Sequence, residues 1–237
     1  MPRPRKPASP LRYFNSSLEV IRLVVMMYVR FPLSLRKVED LLSQRGIEIC
    51  HETVRHWWNR FGPLFATDIR RQRVSRMRDF RQWRWHLDEM SVKFGGEMVY
   101  LWPAVDREGE ILESCVTKTR HNTALAFMKK ALKRHGSPKA ITTDGLHSYM
   151  AAMDELGNTK KQEVGRWANN RVDNSHLSFK PREWALLRFR GMKSLQKLAS
   201  LHANIHNHFR PERHLVDRET YKARRSVALA EWQSLMV

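Results

Sequence analysis

Cysteine is almost absent from this chain of 237 residues, and so are long apolar runs. The two cysteines, Cys50 and Cys115, supply neither a disulfide framework nor a zinc site of ordinary ligand spacing. The longest apolar run, residues 23–29, lies between Arg22 and Arg30 and is far too short to cross a bilayer. The start of the sequence carries no apolar signal core. These absences predict a cytoplasmic protein of a reducing compartment that has no membrane partner.

Acidic residues are scarce relative to basic ones, with 24 Asp and Glu against 43 Lys and Arg and a formal net charge of +19. This charge indicates a polyanionic partner, of which nucleic acid is the usual one. A basic protein that is merely soluble is the alternative. The excess lies at the two flanks, residues 1–84 and 166–237, whereas residues 85–165 are neutral. The flanks can therefore follow phosphates, while the neutral middle keeps its carboxylates for another purpose.

Two capped helices are predicted near the start, after a loose basic arm over residues 1–15. Ser16 and Ser17 can cap a helix that runs to about residue 30. Ser34 can cap a second helix over residues 35–44, because short hydroxyl side chains bond the free N–H groups of a first turn. A glycine at position 46 ends this second helix.

A third helix is predicted over residues 51–61, where Gly62-Pro63 would end it. Helix, tight turn with glycine, and helix is the helix-turn-helix pattern, and the third helix would be the recognition helix. The alternative is a plain helical hairpin whose Trp57 and Trp58 are core residues. Five polar side chains of the third helix are candidates for contacts with phosphates and base edges: Thr53, Arg55, His56, Asn59 and Arg60.

The chain is predicted to divide into four parts. Residues 1–65 form the helix-turn-helix DNA-binding domain, and residues 66–84, which carry seven arginines, form a basic linker or a helix that lies on DNA. Residues 85–190 form the catalytic core, and residues 191–237 form C-terminal helices. A solvated charged helix is the alternative for the arginine-rich part.

The texture changes to alternating, strand-like segments from residue 85. Strands are predicted over 85–94, 98–105, 111–117, 140–143 and near 162–165, and helices over 122–135, 147–156, 173–190, 194–209 and 219–235. Three antiparallel strands, then helix, strand and helix, is the order of an RNase-H-like α/β core. The predicted fold class is therefore α/β, an RNase-H-like core preceded by an all-α helix-turn-helix domain.

Two carboxylates occupy special positions in this core. Asp88 lies inside the first strand, and Asp144 lies at the end of the fourth. Adjacent strands can bring them together, and a buried pair of like charges is costly unless a cation neutralises it. Carboxylates that share divalent metal with substrate phosphates are the usual arrangement for magnesium. The alternative for each is a strand-end aspartate satisfied by the N–H groups of a turn.

Ordered motifs extend over nearly the whole chain. They are RFPLS (30–34), HETVRHW (51–57), WHLDE (85–89), YLWPAVD (100–106), TDGLHSY (143–149), NNRVDNSH (169–176), HNHF (206–209) and ERH (212–214). In this set and order, the sequence resembles the insertion-sequence transposases of family six. The resemblance implies a DDE transposase with an RNase-H-like core that uses Mg²⁺ or Mn²⁺ and acts on the terminal inverted repeats of its own element.

The resemblance also implies site residues. Asp88 and Asp144 match the first and second catalytic, metal-binding carboxylates of the family. The third is a Glu in the family motif, and here that position is Asp173, a departure that puts full activity in question. A second departure is Pro103, where the family pattern leads us to expect Arg. Because proline removes a donor from the strand ladder, Pro103 requires a sheet edge or a bulge.

Three polar residues near these positions could add to this set. Glu183 is a poor substitute for Asp173, because ten residues along a helix amount to about 15 Å and a different face. Lys180 shares the helix face of Asp173 and could hold a DNA phosphate, and a solvated lysine is the alternative. Glu89 is expected on the sheet face opposite to Asp88.

Three functions remain open at this stage. The first is a transposase that binds double-stranded DNA, both inverted-repeat ends and target, as a homo-oligomer that is at least a dimer, among the nucleoid DNA. The second is a catalytically weakened transposase remnant that acts mainly as a DNA-binding protein. The third, a host transcription factor, is disfavoured because such a factor has no use for the strand-end carboxylates.

Overall fold

The computed structural model describes residues 14–77, 84–94, 96–107, 109–119, 123–165, 191–209 and 216–235. The helices in chain order are α1 (Leu18–Arg30), α2 (Leu35–Ser43), α3 (His51–Met77), α4 (Thr123–His135), α5 (His147–Glu155), α6 (Met192–Phe209) and α7 (Arg218–Ser234). The strands are β1 (Arg84–Leu87), β2 (Met90–Phe94), β3 (Glu97–Asp106), β4 (Ile111–Thr117), β5 (Ala140–Thr143) and β6 (Gln162–Val164). Among these described helices, none is long and apolar enough to cross a membrane.

Most predicted elements are confirmed within a few residues. The helix predicted over 173–190 lies outside the described residues. The first predicted strand differs, because it is broken at residues 88–89 into β1 and β2.

The serine caps explain where the first two helices begin. The Ser17 hydroxyl accepts the N–H of Val20 at 3.3 Å, and the Ser34 hydroxyl accepts the N–H of Lys37 at 3.2 Å. Each bond satisfies one of the donors that a first helical turn leaves without an intrahelical partner. The predicted starts of α1 and α2 are therefore confirmed.

Helix α3 corrects the prediction that Gly62-Pro63 ends the third helix, because it continues to Met77. Proline lacks the N–H that would bond the carbonyl four residues earlier, which belongs to Asn59. The Lys197 ammonium on α6 donates to that carbonyl instead, at 2.5 Å. Gly62 lets α6 approach closely, since a Cβ there would lie 2.9 Å from Leu201 Cδ1. Contacts from α6 thus sustain a helix that local sequence alone would end.

The six strands form one mixed sheet. Strands β1 and β2 lie end to end along one side of β3, both antiparallel to it, and β4 pairs antiparallel with the other side of β3. Strand β5 is parallel to β1, and β6 is parallel to β5. The predicted antiparallel strands and the α/β class are confirmed, and the parallel pairing of β5 and β6 is a further finding of the structure.

Hydrophobic cores cover both faces of the sheet. Leu101 belongs to the larger core, which gathers α1, α2, α3, α6 and α7 against β2 and β3. Its neighbour Trp102 belongs to the second core, formed with α4 and α5. Adjacent strand residues enter different cores because successive side chains of a strand alternate between faces. The sheet is therefore the middle layer of three.

Helix α6 covers the free edge of β4 through two side-chain amides. Gln196 accepts the N–H of Val116 at 2.8 Å and donates to the carbonyl of Ser114 at 3.0 Å. Asn207 accepts the N–H of Ile111 at 2.9 Å and donates to the carbonyl of the same residue at 2.7 Å. These amides make the main-chain bonds that a neighbouring strand would otherwise make.

Candidate active site

The two predicted carboxylates follow neighbouring parallel strands. In the β1–β5 pair, Arg84 lies opposite Ala140 and His86 lies opposite Thr142. Asp88 and Asp144 are the residues that directly follow β1 and β5, and this register extended by two residues would set them opposite each other. Neighbouring strands are about 4.8 Å apart, and residues paired in register share one face of the sheet. The structure therefore brings Asp88 and Asp144 to one site at the carboxyl ends of β1 and β5.

Asp88 lies in the break between β1 and β2 and is half-buried. Its Oδ1 accepts the main-chain N–H of Glu89 at 2.8 Å. Its main-chain carbonyl accepts the hydroxyl of Tyr149, which lies on α5, at 2.9 Å. A side chain from outside the sheet thus holds the main chain of this carboxylate.

Asp144 is exposed and begins the loop between β5 and α5. Its Oδ1 accepts the N–H of Leu146 at 3.2 Å. The loop turns at Gly145, whose φ of +86° lies in the left-handed region that favours glycine. A Cβ at this position would also lie 2.9 Å from Val164 Cγ1. The turn that presents Asp144 therefore depends on glycine at the next position.

Tyr149 reports the electrostatics of this site. The residue is fully buried. Burial is the first cause that raises the pKa of its hydroxyl well above the usual value, and Asp88, Asp144 and Glu89 raise the pKa further, in that order. Three carboxylates therefore act on one buried hydroxyl. Glu89 is expected on the sheet face opposite to Asp88, and the register that continues from β1 to β2 along β3 is consistent with that alternation.

The composition of the site fits a hard divalent cation. Its donors are carboxylate oxygens of net negative charge, which is what Mg²⁺ prefers. Each aspartate bonds a local main-chain N–H through one oxygen, as the alternative of a satisfied strand end requires. That alternative does not explain why two carboxylates share one register position on adjacent strands. Within the described ranges, no group of three or more His, Cys, Asp or Glu forms a metal cluster, and Asp173 lies outside those ranges, as does Lys180.

The candidate DNA-contacting residues lie along the first part of α3. Four of them are exposed (Arg55, His56, Asn59 and Arg60), and Thr53 is partly exposed, whereas Trp57 and Trp58 are buried in the larger core. The His56 ring stacks on Phe14 with ring centroids 6.1 Å apart. The Arg60 guanidinium lies 5.2 Å from the centroid of the same Phe14 ring. The first part of α3 is therefore polar on its exposed side and apolar on its buried side, as both a recognition helix and a plain hairpin require.

Ion pairs or hydrogen-bond-range contacts within the chain also engage the other three of these side chains. Arg55 pairs with Glu52 at 3.1 Å, and the Thr53 hydroxyl lies 3.3 Å from Cys50 Sγ. The Asn59 amide donates to the carbonyl of Arg55 at 3.0 Å, and its Oδ1 accepts the Lys197 ammonium at 3.2 Å. Lys197 therefore joins the candidate recognition helix to α6.

Tyr149 and Lys197 are functional candidates that the sequence reasoning did not single out. Tyr149 ends the TDGLHSY motif, five residues after Asp144, and a tyrosine on the buried face of a helix needs a partner for its hydroxyl. That requirement was the available signal. For Lys197 no local signal exists, because its partner Asn59 is 138 residues away in sequence.

A family profile described as a DDE domain, of the IS240 transposase type, matches residues 82–212. The chain belongs to this family. This confirms the resemblance to insertion-sequence transposases of family six. The match covers the sheet, α4, α5 and all of α6, and it includes Asp88, Asp144 and Asp173.

Two of the curated relatives of this DDE-family chain are named as transposases. It is 29% identical over 178 residues to the transposase for the insertion sequence-like element IS431mec of Staphylococcus aureus, covering 73% of this chain and 77% of that protein. The same figures hold for the transposase of insertion sequence IS257 in transposon Tn4003 of Staphylococcus aureus. An uncharacterized protein of Methanocaldococcus jannaschii, MJ0017, is 32% identical over 145 residues, covering 60% of this chain and 63% of that protein.

Solved structures that align with this DDE-family chain have low overall similarity. The simian T-cell lymphotropic virus intasome in complex with a PP2A regulatory subunit aligns with a TM-score of 0.41 and 15% identity, over 51% of this chain and 47% of that one. The Mos1 strand transfer complex aligns with a TM-score of 0.37 and 14% identity, over 98% of this chain and 79% of that one. Family membership rests on the sequence matches alone.

Proposed function

We propose that this transposase cleaves DNA at the terminal inverted repeats of its element and transfers the resulting 3′-OH ends into target DNA. One observation carries the proposal: Asp88 and Asp144 are the residues that directly follow two adjacent parallel strands, β1 and β5. The pKa of Tyr149 supports it, because burial first, and then Asp88 and Asp144, raise the pKa of that hydroxyl, so both carboxylates act on one group. A divalent cation bound by both carboxylates would offset the repulsion between their like charges.

Asp88, Asp144 and Asp173 would hold Mg²⁺ or Mn²⁺ in this proposal. When bound, the cations activate an attacking oxygen and stabilise the leaving oxygen of a phosphodiester. The carboxylates fix where the cations bind, and the β1 break and the Gly145 turn fix where the carboxylates lie. The protein core is then RNase-H-like, with a helix-turn-helix formed by α1, α2 and α3 before it.

Recognition of the inverted repeat falls to α3 in this proposal. Arg55, His56, Asn59 and Arg60 are exposed along one stretch of the helix, and such side chains bond base edges in the major groove. The basic flanks and Lys180 bind phosphates, a contribution that weakens as salt rises. Two ends must meet for strand transfer, so the active species is at least a dimer on DNA. Its location is the cytoplasm, with the nucleoid DNA.

Removal of either carboxylate's charge tests the catalytic proposal. Asp88→Asn and Asp144→Asn keep the side-chain shape and lose the charge that holds the cations. We expect both variants to lose Mg²⁺-dependent nicking of inverted-repeat DNA and to keep parental DNA affinity in gel shifts. Asp154→Asn, on exposed α5 surface, is the matched control and should cleave like the parent. Cleavage that persists in Asp88→Asn or Asp144→Asn would place the active site elsewhere.

A weakened remnant that acts mainly as a DNA-binding protein is the second candidate, favoured by Asp at position 173 where the family has Glu. The same assay separates the two. A parent that binds inverted-repeat DNA and nicks it only with Mg²⁺ supports the enzyme. If the parent and its Asp173→Glu variant both bind the same DNA and neither nicks it, the result supports the remnant.

A further inference from the structure

The break in the first strand faces a proline. Leu87 of β1 pairs with Ala104 of β3, and Met90 of β2 pairs with Leu101, so one continuous register spans the break. By this register, Asp88 lies opposite Pro103. Strand β3 is paired on both sides, so Pro103 does not lie at a sheet edge. A sheet edge was one of the two settings, edge or bulge, that the sequence predicts for this proline.

The main chain of β3 at Pro103 faces Asp88 and not β4. Ser114 is the β4 partner of Pro103, and its carbonyl accepts a hydrogen bond from Gln196 on the outer side of the sheet. The N–H of Val116 donates to the same Gln196 side chain. Since Ser114 points away from β3, it forms a non-hydrogen-bonded pair with Pro103, whose own main-chain groups point away from β4. The nitrogen of Pro103 is thus turned toward the carbonyl of Asp88.

A residue other than proline would donate its N–H to that carbonyl in a regular antiparallel ladder. Proline has no N–H, so this ladder bond cannot form. The Tyr149 hydroxyl donates to the Asp88 carbonyl at 2.9 Å. Tyr149 is fully buried and packs edge-on against Trp102, with ring centroids 5.6 Å apart, so its hydroxyl is held in one place.

We propose that Tyr149 is a positioning residue for Asp88: its hydroxyl supplies the hydrogen bond that residue 103 cannot give, and so fixes the main chain of the first metal-binding carboxylate. This inference rests on the proposed role of Asp88 as a metal ligand. Tyr149 acts through Asp88 and touches neither cation nor DNA. Groups that orient a ligand in this way typically change metal affinity or activity by about 10- to 100-fold when they are removed.

The proposal makes Tyr149 and Pro103 interdependent. Tyr149→Phe keeps the ring in its core and removes only the hydroxyl. Pro103→Ala returns an N–H that faces the Asp88 carbonyl. We expect Tyr149→Phe to weaken Mn²⁺ binding and nicking strongly in the parent, and much less when residue 103 can donate its N–H. A purely structural role of the ring would not produce this dependence on residue 103.

The experiment compares the full-length parent, Tyr149→Phe, Pro103→Ala and the double variant. Mn²⁺ binding is measured without DNA by the loss of free-ion signal in electron paramagnetic resonance, and nicking of inverted-repeat DNA is measured in parallel. We expect Tyr149→Phe to weaken Mn²⁺ binding and nicking by about 10- to 100-fold. In the Pro103→Ala background, the same change should cost about threefold or less. Tyr221→Phe, which removes a phenol hydroxyl on α7, is the matched control and should bind Mn²⁺ like the parent.

The outcomes distinguish this inference from the function on which it rests. Parental Mn²⁺ affinity in Tyr149→Phe, or an equal loss in both backgrounds, would overturn the positioning role while Asp88→Asn still abolishes Mn²⁺ binding. Parental Mn²⁺ affinity in Asp88→Asn would overturn the proposed metal site, and the positioning role with it.

Discussion

Replacement of Lys197 by methionine tests why α3 continues through Pro63. The Lys197 ammonium takes the place of the N–H that Pro63 lacks, by donating to the Asn59 carbonyl at 2.5 Å. Methionine keeps most of the side-chain stem and removes the donor. Pro63→Ala restores the intrahelical donor to the same carbonyl. The loss caused by Lys197→Met should therefore be smaller once residue 63 carries an N–H.

The expected size of the loss follows from the contacts. A hydrogen bond from a charged group contributes about 1.5–3 kcal/mol, and here water near the exposed Asn59 reduces it to about 1 kcal/mol. The ammonium also lies 5.5 Å from the Trp58 ring centroid, a contact that contributes about 0.5–1 kcal/mol at exposed sites. Lys197→Met should lower the free energy of unfolding by about 2 kcal/mol in the parent. In Pro63→Ala the main-chain carbonyl regains an intrahelical donor, so Lys197→Met removes only the ring contact and the bond to Asn59 Oδ1, and the cost falls to about 1 kcal/mol.

Urea unfolding of the four proteins, followed by tryptophan fluorescence, measures this difference as a coupling energy. Lys193→Met, an exposed lysine one turn earlier on α6, is the control, and its cost should stay within about 0.5 kcal/mol. Pro63→Ala alone should stabilise the chain, because proline is the least favourable residue of a helix interior. A coupling energy within about 0.3 kcal/mol of zero would refute the role assigned to Lys197.

Two further predictions concern catalysis and DNA recognition. The Asp173 carboxylate is one methylene shorter than the family's Glu, and a misplacement of about 1 Å can cost about a hundredfold in rate. Asp173→Glu should therefore raise Mg²⁺-dependent cleavage of inverted-repeat DNA by up to about that factor, and Asp173→Ala should abolish it; an Ala variant as active as the parent would show that Asp173 is no ligand. Replacing Arg55 and Asn59 together by Ala should reduce the preference for inverted-repeat over random DNA in gel shifts, because base contacts carry sequence discrimination. Unchanged discrimination would mean that α3 is not the recognition helix.

Local chemistry made much of the fold predictable. Ser17 and Ser34 mark helix starts because a serine hydroxyl directly before an apolar periodic segment can accept a hydrogen bond from a free N–H of the first helical turn. Strand β5 was predicted at its observed bounds because a short apolar run between a Gly-Pro-containing break and an aspartate leaves little choice. The order of elements then placed Asp88 and Asp144 on neighbouring strands. For these features, signal and consequence lie within a few residues of each other.

Compensation over long sequence distances was not predictable. Pro63 was expected to end α3 because proline leaves a carbonyl without its donor, and the donor that replaces it comes from Lys197. Pro103 was expected at an edge or a bulge for the same reason. A register shift does lie beside it, between Ala104 and Val105, but the donor to the Asp88 carbonyl comes from Tyr149. In both places, the proline in the sequence shows that a main-chain hydrogen bond is missing. The side chain that replaces the donor is distant in sequence and is seen only in the fold.

The amide-covered edge of β4 fixes the length of α6. Gln196 and Asn207 are eleven residues apart, which along a helix amounts to about 16 Å. Their partners Val116 and Ile111 are five residues apart along β4, which amounts to about 17 Å of extended chain. One residue inserted between the two amides would turn one of them by about 100° relative to the other and leave part of the edge open to a strand of another molecule. The spacing of Gln196 and Asn207 along α6 is therefore fixed by β4. While both amides are bonded to it, a strand of a second copy of the chain cannot pair with this edge of the sheet.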